Sequence, residues 1–246
     1  MRREAKVGLA EPGISPSDSE GVRPWIGTAA ALAGFILVAV VGSWPRVVAL
    51  NADALRAFQA AFPFGSLDAV SLVLVFGSSQ VSLGLLAIAG AWLYLRGRRL
   101  VALSLGLVLV GVALEVALKA TLGHPMVWGE FSHGSALYPF PEVKPSVVAL
   151  VSPFPSGHVL RASYLAMTFV AVVGRKVAGH WRGAIVAAAV LLVAGVVFGV
   201  LYLGWHWPTD ALGSLALAWA LTAPTRWAVG QGSKEGRNRI LKELSH

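Results

Sequence analysis

The sequence contains no cysteine among its 246 residues. That excludes disulfides, thiolate nucleophiles and cysteine-held metals, and it leaves the redox compartment unread. Charge is also scarce: Asp, Glu, Lys and Arg make up 13% of the chain, against roughly 25% in a soluble domain. Acidic residues are the rarer kind, 12 against 20 basic ones, for a formal charge of +8. A nucleic-acid partner is not indicated by that excess, because the basic residues stand in short clusters between uncharged apolar runs. In a membrane protein this pattern reads as topology. No internal repeat is present, and no segment alternates as a barrel strand would.

What is abundant is apolar: 56% of the residues are hydrophobic. The expected class is all-α, an integral membrane bundle of six transmembrane helices in one domain. Residues 1–24 are polar and rich in Gly, Pro and Ser, and read as a disordered cytoplasmic tail. The charge-free run from Trp25 to Trp44 is long enough to cross ~30 Å of hydrocarbon. It exceeds the apolar core of a signal peptide, so a retained helix is expected. Asn51 to Ala61 reads as a short interfacial helix. The apolar stretch from Leu67 to Leu95, interrupted near Gly77, Ser78 and Ser79, reads as a broken or tilted turn followed by a span. Further spans are expected over about 100–122, 156–174, 183–203 and from the following turn to about Ala223. Residues 25–225 thus form the membrane domain, and 226–246 a basic cytoplasmic tail.

Lys and Arg set the orientation. Fifteen lie in the two tails and in the turns at 96–99 and 175–182, whereas the opposite loops hold three, Arg46, Arg56 and Lys144. Cytoplasmic loops collect such residues, so both termini are expected inside. The C-terminal cluster then needs no role beyond anchoring and contact with anionic lipid.

Three polar elements interrupt the apolar pattern: Lys119 near the end of the third span, Pro155-Ser156-Gly157-His158 at the start of the fourth, and Gly204-Trp205-His206-Trp207-Pro208-Thr209-Asp210 between the fifth and sixth. With this orientation all three fall on the extracytoplasmic side. Each suits a phosphate. A helix start offers unpaired N–H groups and the positive dipole end, and Gly157 admits close backbone approach. Ser156 adds a hydroxyl. Lys119 adds a positive charge that hydrocarbon disfavours unless it has a partner or a polar cavity. His206 and Asp210 are four apart, on one face if the turn is helical. A carboxylate on one imidazole nitrogen fixes the tautomer and makes the other a better nucleophile. His158 then supplies a proton to the leaving alkoxide. Trp205 and Trp207 read as interfacial belt residues.

The Pro-Ser-Gly-His string and Tyr202-Leu203-Gly204-Trp205-His206-Trp207-Pro208-Thr209-Asp210 resemble motifs of the type 2 phosphatidic acid phosphatase superfamily, the lipid phosphate phosphatases related to vanadium haloperoxidases. The likeness covers roughly residues 50–222. It implies a six-helix membrane bundle that needs no metal or other cofactor. It also implies Lys119, Ser156 and Gly157 as phosphate ligands, His158 as general acid, His206 as the nucleophile that forms a phosphohistidine, and Asp210 as its orienting partner. The expected substrate is a membrane lipid phosphate, such as phosphatidic acid, phosphatidylglycerol phosphate or a polyprenyl phosphate or diphosphate, at the outer side of the cell (plasma or inner) membrane. A lipid-phosphate-binding pseudoenzyme or a phosphotransferase of the same fold is the alternative.

The chain departs from the family pattern at both motif arginines. The first falls at Met126, followed by Val127 where proline is expected, and the Ser-Arg pair of the third motif falls at Gly199 and Val200. Arg161, one turn beyond His158 in an otherwise apolar span, is the first candidate replacement as a phosphate ligand. His124, His133 and Lys144 on the loop are others. Glu115 can pair with Lys119 at i+4 or with Arg161.

Overall fold

A computed structural model describes residues 16–65, 67–133, 137–139, 152–174 and 176–231, with side chains from residue 25 onward except Asp68. Lys144, the first fifteen residues and most of the C-terminal tail lie outside the described residues. Every regular element among the described residues is helical.

Helix α1 (Pro16–Val41) turns by 100° into α2 (Pro45–Ala61). Pro45 explains the new start: its missing N–H and fixed φ suit the first helical position, whereas in the interior of a continuous helix it would remove a bond. A 3-10 helix (Asp68–Gly77) follows, then α3 (Ser79–Leu95), inclined by 47° to it. The break expected near Gly77 is a capped junction, in which Ser78 Oγ accepts from Val81 N at 3.3 Å. Helices α4 (Arg99–Leu105) and α5 (Leu107–Thr121) run on as one 23-residue apolar segment. Helices α6 (Gly157–Val173), α7 (Gly179–Tyr202) and α8 (Pro208–Leu221) complete the bundle, and the chain stays helical over 223–231.

Among the described residues, two helical segments, Arg99–Thr121 and Gly179–Tyr202, are long and apolar enough to cross a membrane, and the number rises to four if each bent pair counts as one span. Large apolar side chains such as Leu95, Leu191 and Ile88 lie more than two-thirds exposed. Water would penalise that surface, whereas hydrocarbon solvates it.

Helix α6 is the axis of the bundle, packed on α7, α8, α3, α5 and the 3-10 helix. One apolar cluster joins Phe35, Leu86, Val108, Leu160, Tyr164 and Leu217 around it. A second, at its N-terminal half, joins Leu74 of the 3-10 helix with Val159, Val196, Val200 and Tyr202. Gly77 and Gly199 permit the close approach: a Cβ on Gly77 would sit 2.6 Å from the His158 carbonyl oxygen, and one on Gly199 2.9 Å from Leu74. Helix α2 braces the far end of α7. Gln59 Nε2 donates to the carbonyls of Phe131, Leu201 and Tyr202 at 3.0–3.3 Å, and Asn51 Nδ2 donates to Thr209 Oγ1 at 2.9 Å. This helix begins six residues before the expected Asn51 start.

Candidate active site

The start of α6 is set locally. Pro155 precedes Ser156, whose hydroxyl accepts from Val159 N at 3.5 Å while its carbonyl accepts from Leu160 N at 2.9 Å. Ser156 is therefore an N-cap, with Gly157 and His158 in the first turn. The end of α7 is equally local. Gly204, at φ +62°, follows the last turn, with Gly204 N bonded to Leu201 O and Trp205 N to Val200 O. That is a Schellman closure, and it turns the chain toward α8. Pro208 opens α8, and Asp210 Oδ2 reaches back to Trp207 N at 2.9 Å.

Asp210 is fully buried, and its Oδ2 lies 3.5 Å from His206 Nδ1. His206 precedes the helix, so the pair meets across the capping turn and not along a helical face. At 3.5 Å the contact is longer than a normal hydrogen bond. Neither His206 Nδ1 nor Asp210 Oδ1 has another hydrogen-bond partner among the described residues. His158 follows Gly157, against which the Glu115 carboxylate lies, and its ring is 5.6 Å from that of Trp205, the residue before His206. The turns at the starts of α6 and α8 and the end of α5 therefore converge on one region.

Glu115 organises that region. Its Oε1 accepts from Lys119 Nζ at 2.9 Å and its Oε2 from Arg161 Nη1 at 2.7 Å. The two pairings that the sequence offers as alternatives coexist. Arg161 Nε also donates to the Gly77 carbonyl at 2.9 Å, so the guanidinium is fixed between α5 and the 3-10 helix. The carboxylate lies against Gly157: a Cβ there would come 2.0 Å from Glu115 Oε1. Glycine is required at 157 by this packing, whatever approaches from outside. The set of Lys119, Arg161 and Glu115 carries a net single positive charge.

Val200 is fully buried in the apolar cluster with Leu74, and Met126 is 57% exposed. His124 is turned away toward α1, bonded to the Ala39 carbonyl at 2.8 Å and stacked on Phe154. His133 stacks on Phe64. Lys119 and Arg161 both bond the Glu115 carboxylate that lies against Gly157, next to His158.

Sequence reading missed Tyr138. Its hydroxyl lies 2.8 Å from His158 Nε2, and its ring packs edge-on against His158 and Trp205. Trp205 in turn lies 5.6 Å from the His158 ring and donates its indole N–H to His133 O. Trp207 is nearly fully buried and donates to Pro125 O at 2.8 Å. Trp207 is thus interior and not the expected interfacial belt residue, whereas Trp205 is half-buried, and each N–H finds a carbonyl between α5 and α6. No group of three or more His, Cys, Asp or Glu with metal-holding geometry occurs among the described residues.

A bacterial membrane protein of known structure, described as the first transmembrane PAP2 type phosphatidylglycerolphosphate phosphatase from Bacillus subtilis, shares the fold. The TM-score is 0.60 at 20% identity, over 85% of this chain and 96% of that one. No curated protein matches by sequence. The family model described as PAP2 superfamily matches residues 99–233, which include α4 to α8 and every candidate site residue. The chain is an integral membrane protein that belongs to the PAP2 superfamily.

Proposed function

We propose that this protein is a membrane lipid phosphate phosphatase that hydrolyses a phosphomonoester or diphosphate through a phosphohistidine. Lys119, held by the Glu115 carboxylate against Gly157, His158, and the His206–Asp210 pair reached through Trp205 all lie about the mouth of α6, and this supports the reading. Asp210 faces Nδ1 of His206, which leaves Nε2 to attack. The P–N bond forms as the ester P–O bond breaks, and the bonding pair leaves on the oxygen. His158 gives that oxygen its proton. Water then attacks the phosphohistidine and yields a proton to His158, and inorganic phosphate departs as the P–N bond breaks. Lys119, Ser156 and Gly157 hold the phosphoryl oxygens. Arg161 supplies the guanidinium that the family places elsewhere, since donors aimed at developing oxyanion charge each contribute on the order of 10²–10³ in rate.

Six spans fit this reading: α1, the segment 68–95, the segment 99–121, α6, α7 and α8 with its continuation. Both termini are then cytoplasmic, residues 1–24 and 226–246 are tails, and the site opens at the extracytoplasmic face of the cell membrane. Phosphatidic acid, phosphatidylglycerol phosphate and polyprenyl phosphate or diphosphate are the substrate classes to compare.

The test is phosphate release from that panel in detergent and liposomes, with His206→Ala and Arg161→Ala as controls. His206→Ala should abolish release while the protein stays folded. Release at the parental rate in that variant would remove His206 as nucleophile. Glu115 favours a second reading, because it offsets one of the two cations beside His158. A pseudoenzyme would bind a lipid phosphate equally well with and without His206 and turn none over. A phosphotransferase would release little phosphate to water and transfer it to an added alcohol acceptor.

A further inference from the structure

A groove of about 620 Å³ runs between α6, α7 and α8 on the outer face of the bundle. Its length is apolar, lined by residues such as Met167, Val170, Val190 and Leu215, and one end carries Arg182 and Arg226. That end is the one remote from the candidate active site. Arg182 lies in the first turn of α7 and packs near Gly174 at the end of α6, whereas His158 and His206 sit at the opposite ends of α6 and α7.

The two arginines have no carboxylate partner within ion-pair distance among the described residues, unlike Arg161. Arg226 is nevertheless held in one place. Its Nη1 donates to Trp219 O at 3.0 Å and to Thr222 Oγ1, and its guanidinium lies 4.4 Å over the Trp219 ring. Its Nη2 is buried without a hydrogen-bond partner. The guanidinium is therefore held in a fixed orientation beside the groove that Arg226 helps to line.

We propose that this groove binds an anionic phospholipid, with an acyl chain along α7 and the phosphodiester on Arg226 and Arg182. The volume lies within the ~300–1,000 Å³ of ligand sites. An apolar length with two cations at one end matches a lipid with a negative headgroup. An extended peptide would leave backbone groups unpaired along the apolar wall. The site is separate from the phosphatase reading and does not depend on it.

The test is native mass spectrometry of the full chain in detergent, titrated with chain-matched phosphatidylglycerol and phosphatidylcholine. The parent should retain phosphatidylglycerol preferentially. At about fivefold per basic residue, Arg182→Gln/Arg226→Gln should lower that preference by roughly 25-fold. Val190→Trp, which fills the exposed wall without altering charge, should lower retention of both lipids. His206→Ala should leave the preference intact, which separates this site from the candidate active site. Equal retention of the two lipids by the parent, or an unchanged preference in the arginine variant, would overturn the proposal. So would a dimer that Val190→Trp dissociates without any change in lipid adducts, since the groove would then belong to a second copy.

Discussion

Replacing Glu115 with leucine withdraws the carboxylate that Lys119 and Arg161 share. The Arg161 and Glu115 side chains are 8% and 10% exposed and 2.7 Å apart, so this is a buried pair. Leaving one partner of such a pair uncompensated costs about 3–5 kcal/mol. Lys119 adds little to that figure, since its longer stem can carry the ammonium to the rim. Arg161→Met alone costs less, about 1–3 kcal/mol, because Glu115 keeps Lys119 while the Gly77 carbonyl loses its donor. The double variant removes both buried charges, and should be no less stable than Glu115→Leu. The expected coupling energy is therefore at least the cost of Arg161→Met, about 1–3 kcal/mol. Unfolding by SDS in mixed micelles, followed through the nine tryptophans, measures all four corners of the cycle. A double variant whose loss equals the sum of the single losses within about 0.5 kcal/mol would show that Glu115 and Arg161 are not paired.

Other outcomes follow from individual contacts. Asp210→Asn should lower turnover by about 10²–10⁴-fold through loss of imidazole orientation. It should also weaken α8 by about 1 kcal/mol through its cap on Trp207, so turnover and thermal unfolding are measured together. Tyr138→Phe removes a neutral hydrogen bond from His158, and its effect on turnover should stay within about tenfold. A loss of a thousandfold or more would make the hydroxyl a direct proton carrier. Gly204→Ala combines a positive φ with a Cβ placed 1.9 Å from Phe131 O, so it should destabilise by more than about 2 kcal/mol and displace His206. Recovery of folded protein and of turnover after purification reads both effects.

Much of this arrangement was legible because its causes are local. Uncharged runs between basic clusters mark helices, Ser156 marks a helix start, and the glycine and serines at 77–79 mark the junction between the 3-10 helix and α3. The His206–Asp210 pairing follows from four-residue spacing, although the contact forms across a turn. What was not legible depends on distant residues. Arg161 and Glu115 are 46 positions apart, so spacing leaves the choice between Arg161 and Lys119 open, and the folded chain makes both bonds. The reason for Gly157 changes likewise, from space for a ligand to space occupied by Glu115. Tyr138 lies in a stretch whose sequence has no helical or strand periodicity, and nothing in sequence directs its hydroxyl to His158. Trp207 was misread as a belt residue because indole frequency marks an interface only when no inner carbonyl receives the N–H. Pro125 supplies that carbonyl.

The central claim is that His206 carries the phosphoryl group in a site shared with His158 and Lys119. Rapid acid-free quenching of the protein during turnover of a short-chain lipid phosphate, followed by peptide mass spectrometry, tests it most directly. The account predicts an acid-labile phosphate on His206 that is missing in His206→Ala. Phosphate on another residue, or steady turnover of His206→Ala without any phosphoprotein, would contradict it.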